Sequence, residues 1–221
     1  PKMHAIKRIF IYFLFQQLLF APVLGHAYDE QWGIFQVRQK LAGSGQVLAE
    51  FVRRDTSDLF SKRFLDLYRV SYGAKLREDW TLLVGGAFVD FESGGDERRL
   101  HQFLVYNGRL NSSIGVLARI GLEQRQFNND SKWYWRSRNR VQINVFQGQT
   151  VGVALYDEIF FVPDGGTRLA TGLSENRFGI GPRFNAGAFE GYLYHVVANW
   201  RTLRRDDRLE WLQLQMIYSF D

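Results

Sequence analysis

Strict period-two alternation, sustained over ten residues or more, constrains this chain most. Arg136, Arg138, Arg140, Gln142 and Asn144 interleave with Trp135, Ser137, Asn139, Val141, Ile143 and Val145. Arg69, Ser71, Gly73, Lys75 and Arg77 alternate in the same way with Tyr68, Val70, Tyr72, Ala74 and Leu76. So do Arg119, Gly121, Glu123 and Arg125 with Ala118, Ile120 and Leu122, and Arg177, Gly179, Gly181 and Arg183 with Phe178, Ile180, Pro182 and Phe184. Successive side chains of a strand point to opposite faces, so each run predicts a strand with one polar and one apolar face. Ordinary strands are about 5–6 residues long. These runs instead match the roughly 9–11 residues that a tilted strand needs to cross a bilayer.

Apolar segments recur near 31–41, 46–54, 63–77, 80–91, 99–110, 114–126, 133–146, 150–161, 176–184, 189–200 and 209–220. Short turn signals (42–45, 77–79, 111–113, 147–149, 185–188) alternate with longer polar stretches (55–62, 92–98, 127–132, 163–175, 201–208). Outer-membrane barrels alternate short periplasmic turns with longer external loops and, in bacterial single chains, have an even number of strands. The predicted fold is therefore all-β: an up-and-down antiparallel transmembrane β-barrel of ten strands, with twelve as the alternative. Residues 28–44 are then a periplasmic or lumen-lining extension.

The polar face carries Arg119, Glu123, Arg125, Arg136, Arg138, Arg140, Glu158, Arg177 and Arg183, with Gly73, Gly121, Gly152, Ala154, Gly179 and Gly181 among them. Glycine weakens a strand unless space is tight. Small residues inside a narrow barrel make room for large ones opposite, here expected to be the arginines. The polar face is accordingly predicted to point inwards as an ion-pair network, with Glu123 across from about Arg136 and Arg138 across from about Glu158. Trp80, Trp133, Trp135, Tyr192, Tyr194, Trp200, Tyr218 and Phe220 fall near strand ends and are expected to form interfacial girdles. In the last strand, Leu212, Leu214, Met216, Tyr218 and Phe220 form the expected lipid-facing row. Gln213, Gln215 and Ser219 belong to the lumen, and Trp211 and Ile217 mark it as partly apolar.

Residues 1–27 read as a secretory signal peptide: Lys2, Lys7 and Arg8, then an apolar run, then Gly25 and Ala27 suited to cleavage. The barrel domain is then 28–221. Taking the three basic residues of 1–27 from the 28 Lys+Arg leaves 25 against 23 Asp+Glu, so no basic face for nucleic acid is implied. The absence of cysteine excludes thiolate chemistry and a lipid-modified cysteine anchor. No metal signature appears, and neither a metal nor another cofactor is expected. His101 and His195 have no serine at the i±2 positions of a strand-borne dyad, and a nucleophile needs its base within hydrogen-bond reach. No catalytic residue is assigned, and the protein is expected not to be an enzyme.

The runs ARIGLEQRQF (118–127), WRSRNRVQI (135–143), YDEIFF (156–161) and NRFGIGPRF (176–184) follow in an order that resembles a family of uncharacterised proteobacterial outer-membrane β-barrel proteins, grouped only as a domain of unknown function. The likeness spans roughly 32–220. It implies a barrel in the outer membrane of a Gram-negative bacterium and no activity. The partners expected are outer-membrane lipid and lipopolysaccharide, and the barrel-assembly machinery during biogenesis. The role expected is structural or narrowly permeable. An enzyme acting on lipid or lipopolysaccharide, or a soluble periplasmic ligand-binding barrel, are the alternatives.

Overall fold

A computed structural model describes residues 28–56, 62–128, 130–166, 169–201, 203 and 206–220. The expected signal segment 1–27, and Asp221 after the final aromatic, lie outside the described residues. Every regular element among the described residues is a strand. In chain order these are β1 (Glu30–Lys40), β2 (Gly45–Thr56), β3 (Lys62–Arg77), β4 (Trp80–Phe91), β5 (Asp96–Arg109) and β6 (Ile114–Phe127). They are followed by β7 (Trp133–Val145), β8 (Val151–Val162), β9 (Gly172–Ala186), β10 (Phe189–Arg201) and β11 (Asp206–Phe220).

The strands form one closed barrel in which β1 completes the circle against β11. That pair is parallel, from Glu30 beside Trp211 to Gln39 beside Phe220, while every other pair is antiparallel. Each turn reverses the chain, so a first and an eleventh strand must run the same way. The expectation of ten or twelve strands, with 28–44 as an extension, is corrected on this point. Residues 30–40 pair along their length with β2 on one side and β11 on the other. Without them, two long strand edges would present unpaired backbone groups. Asp29 extends the seam, its N–H donating to the Glu210 carbonyl at 2.9 Å and its carboxylate accepting from the Glu210 N–H at 2.9 Å.

One rim carries the connections 41–44, 78–79, 110–113, 146–150 and 187–188. The other carries 57–61, 92–95, 128–132, 163–171 and 202–205, together with the starts of β1 and β11. We call these the turn rim and the loop rim.

The polar faces point inwards and the apolar faces outwards. Glu97, Glu123, Glu158, Arg125, Arg136 and Arg183 are buried, while Val70, Phe88, Ile120, Val141, Ile159, Phe178 and Ile180 are exposed. Asp157 interrupts the outward apolar face, accepting a hydrogen bond from Asn176 Nδ2 at 2.9 Å.

The inward glycines serve a purpose other than the one expected. Gly121 stands directly across from Phe103, and Gly179 across from Tyr156. A Cβ at either position would strike that ring. Room is made for aromatic rings, on which guanidinium groups then stack: Arg119 lies 5.0 Å from the Phe103 centroid and Arg140 lies 3.9 Å from that of Tyr156. Not all the aromatics expected at strand ends are found exposed there. Trp133 and Trp135 are exposed near the loop rim, Trp80 pairs with Tyr106 near the turn rim, and Tyr218 packs edge-on against Phe220. Tyr192 and Tyr194, however, are buried inside the barrel, and Trp200 lines an internal cavity. Their positions along β10 share the inward parity of Val196 and Ala198, which strand-end counting overlooks.

Candidate functional site: the ion-paired lumen

The inside of the barrel has three zones, set by the register of the strands. Tyr156, Tyr192, Tyr194, Val196, Ala198, Trp211 and Ile217 form an apolar cluster on the β8–β11 side. Trp32 stacks on Trp211 across the parallel seam, centroids 4.9 Å apart. Tyr156 and Gln213 approach at 3.4 Å between hydroxyl and amide oxygen. Trp211 and Ile217 thus lie inside, beside Gln213. Facing this cluster is the charged wall.

Glu123 on β6 sits directly across from Arg136 on β7, which donates to it through Nε at 2.9 Å and also through Nη2. Arg138 reaches both glutamates, 2.9 Å from Glu158 and 3.4 Å from Glu123. It does so diagonally, because the residue across from Glu158 is Arg140 and the one across from Arg138 is Phe160. The expected Arg138–Glu158 register is therefore displaced by two residues. The connection 146–150 is five residues long rather than a tight turn, with Phe146 at φ 58°. Glu158 also pairs with Arg119, and with Arg177 at 3.6 Å. Arg177 donates to Glu175 at 2.5 Å. Arg140 donates to Gln142 at 2.6 Å, and Gln142 in turn donates to Asn144 at 2.9 Å.

Two of the expected network residues pair with carboxylates other than Glu123 and Glu158. Arg125 bonds Glu97, with Nη2 to Oε2 at 2.8 Å, and Arg99 grips the same carboxylate from β5 at 2.7 and 2.8 Å. Arg183 sits near the turn rim with Glu190 at 2.7 Å and the Gln147 carbonyl at 3.2 Å. Sequence reading missed Glu97, Arg99, Glu50, Arg69, Glu30, Arg54 and Glu175. Arg69 donates to Glu50 at 2.7 Å, and Arg54 donates through Nε to Glu30 at 2.5 Å. Arg69 was visible in the alternation of its own strand. Glu175 fell in the stretch 163–175 expected to be a connection, and the rest sit on strands whose inward face is mixed, as in Leu48, Glu50, Val52 and Arg54 of β2.

Among the described residues, the six glutamates Glu30, Glu50, Glu97, Glu123, Glu158 and Glu175 thus face the eight arginines Arg54, Arg69, Arg99, Arg119, Arg125, Arg136, Arg138 and Arg177. Glu97 is shared by two guanidinium groups and Glu158 by three. Buried charges are tolerated only where they are paired and hydrogen-bonded, and stacking of Arg136, Arg138 and Arg177 on Phe160 adds cation–π attraction.

Towards the loop rim the lumen opens into a cavity of about 390 Å³. Arg69, Arg99, Arg125, Arg136, Arg138 and Arg177, with the carboxylates Glu50 and Glu175 among them, form its charged side, while Trp32, Phe64, Phe91, Phe127, Leu169 and Trp200 are among its apolar walls. The connection 163–171 borders the cavity and is tied to its neighbour at Asp164, 3.3 Å from Lys132. The Gly166 N–H, and then Lys132, hold the Asp164 carboxyl below its usual range.

The histidines separate. His195 faces outwards beside Tyr28, with Glu210 at 3.9 Å. His101 is buried, and Ser71 Oγ lies 2.8 Å from its Nε2. Ser71, Gly85, His101, Glu123 and Arg136 form one row across β3–β7, and only a glycine in the middle allows the serine and histidine to meet. A Cβ on Gly85 would lie 2.9 Å from His101 Cε1 and 2.7 Å from Ser71 Cα. No local motif could reveal a pair 30 residues apart. His101 Nδ1 has no hydrogen-bond partner, and Arg136 and Arg138 occupy the Glu123 carboxylate. Among the described residues, no group of three or more His, Cys, Asp or Glu side chains could hold a metal ion.

These features define the class: a closed β-barrel with an apolar exterior and an ion-paired interior. The family model described as "Protein of unknown function (DUF2490)" matches residues 29–217, and the chain belongs to that family. No curated protein matches the sequence.

Proposed function

We propose that this protein is a transmembrane barrel of a Gram-negative outer membrane, exported by its 1–27 signal and inserted by the barrel-assembly machinery. Lipid and lipopolysaccharide cover its outer face. Its role is structural or narrowly permeable, not enzymatic, because the arginine–glutamate network fills the middle of the lumen. One observation carries this reading: charges are buried inside while large aliphatic and aromatic side chains face out on strand after strand. Soluble monomers rarely expose contiguous apolar patches beyond a few hundred Å².

The enzyme reading has a candidate in Ser71 and His101, but their burial and the orphan Nδ1 speak against it. The soluble ligand-binding reading gains from the cavity and loses on the apolar exterior. Fractionation decides. The mature chain should co-purify with outer membranes and show heat-modifiable gel mobility. A detergent-free, fully soluble folded chain would overturn the proposal. Val141→Arg, on the outward face, should cost about 2–4 kcal/mol near a bilayer midplane, read as the shift of a urea unfolding curve in lipid vesicles. An unchanged midpoint would place Val141 in water.

A further inference from the structure

We infer that the cavity at the loop rim is a binding site for a small amphipathic carboxylate, one with a single ring or a short apolar body. Three observations lead to this. The charged side of the cavity holds more guanidinium groups than carboxylates: Glu50 serves Arg69 and Glu175 serves Arg177, but Arg99 and Arg125 share Glu97, Arg136 and Arg138 share Glu123, and Arg138 and Arg177 share Glu158 with Arg119. Arg69 lines the same side, is 8% exposed, and has no acceptor for its Nε. Guanidinium groups donate in a planar fork that matches a carboxylate, so an added anion meets preformed donors and relieves mutual cation repulsion.

The opposite walls are apolar: Phe64, Leu67, Phe91 and Phe127 line them, and Trp32 and Trp200 flank Arg54. A bare inorganic anion would leave these walls unused, while a neutral apolar ligand would leave the donors unused. The volume of about 390 Å³ lies near the lower end of the roughly 300–1,000 Å³ of small-molecule pockets, which limits the body to one ring or a short chain. The site depends on the lumen alone and stands whether or not lipid covers the exterior.

The test is calorimetric titration of the folded barrel, its folding verified by heat-modifiable mobility, with 3-phenylpropionate. The neutral 3-phenylpropanamide and inorganic phosphate serve as comparison ligands. The carboxylate should bind at least tenfold more tightly than either. Ala170→Phe, which fills the cavity wall without touching the ion pairs, should weaken binding at least tenfold and leave the mobility shift intact. Arg69→Gln should weaken it as well. Three results would overturn the inference: no heat with folded wild-type protein, equal affinity for the amide or for phosphate, or undiminished binding by a folded Ala170→Phe variant.

Discussion

The wall formed by β5–β9 and the wall formed by β10, β11 and β1 line the same lumen by different physics. The first fills its space with Arg99, Glu123, Arg136, Arg138, Glu158 and Arg177, long side chains held by charge-assisted hydrogen bonds. The second fills it with Tyr192, Tyr194, Val196, Ala198, Trp211 and Ile217, packed without ion pairs among them. The charges of the first wall depend on partners, most of them from another strand, so deleting a carboxylate such as Glu123 strands buried cations. In the second wall a deletion removes contacts and leaves a void. The two walls should therefore respond to substitution with different magnitudes and even different signs.

The largest effect is expected at Glu123, fully buried between Arg136 and Arg138. Glu123→Ala should cost about 3–5 kcal/mol, the usual loss when one partner of a buried pair is removed. Urea unfolding of the folded barrel measures it. A loss below that of a methyl deletion would mean that the network contributes little beyond filling space. Removing Arg136 in the same chain should recover part of the loss, since the stranded cation goes with it.

A smaller loss, about 2–3 kcal/mol, is expected for Ile217→Ala in the apolar wall, where transfer and cavity terms add. Salt sharpens the contrast. Charges buried this deeply are weakly screened, so neither variant should depend strongly on ionic strength. A strong salt dependence for Glu123→Ala would show that water reaches the pair.

The smallest effect carries the opposite sign. The Tyr194 hydroxyl is buried with no hydrogen-bond partner, so Tyr194→Phe should be neutral or stabilise by up to about 1 kcal/mol. A clear destabilisation in the same unfolding experiment would mean that the apolar wall has polar bonds of its own.

The contrast also explains what could be read in advance. On β6, β7 and β9 the two faces differ in polarity, and alternation gave their inward side. It gave the extent of β6 and β7 closely, while β9 begins four residues earlier than expected, at Gly172, and the Glu123–Arg136 pair needed the added assumption of a simple hairpin over 127–132. On β10 both faces are apolar, Tyr192-Tyr194-Val196 against Leu193-Val197, so period two carries no sign and the tyrosines were misplaced. The all-β class follows from local chemistry, since side-chain direction in a strand depends only on position parity.

The closure does not follow. Ten, eleven or twelve strands share the same alternation, and whether 30–40 joins the wall depends on two edges, β2 and β11, that meet only in three dimensions. The shared carboxylates, the Ser71–His101 contact across Gly85, and the cavity were likewise decided by tertiary structure. Each depends on the register of strands separated by tens of residues, set by turn lengths and bulges that residue alternation does not encode.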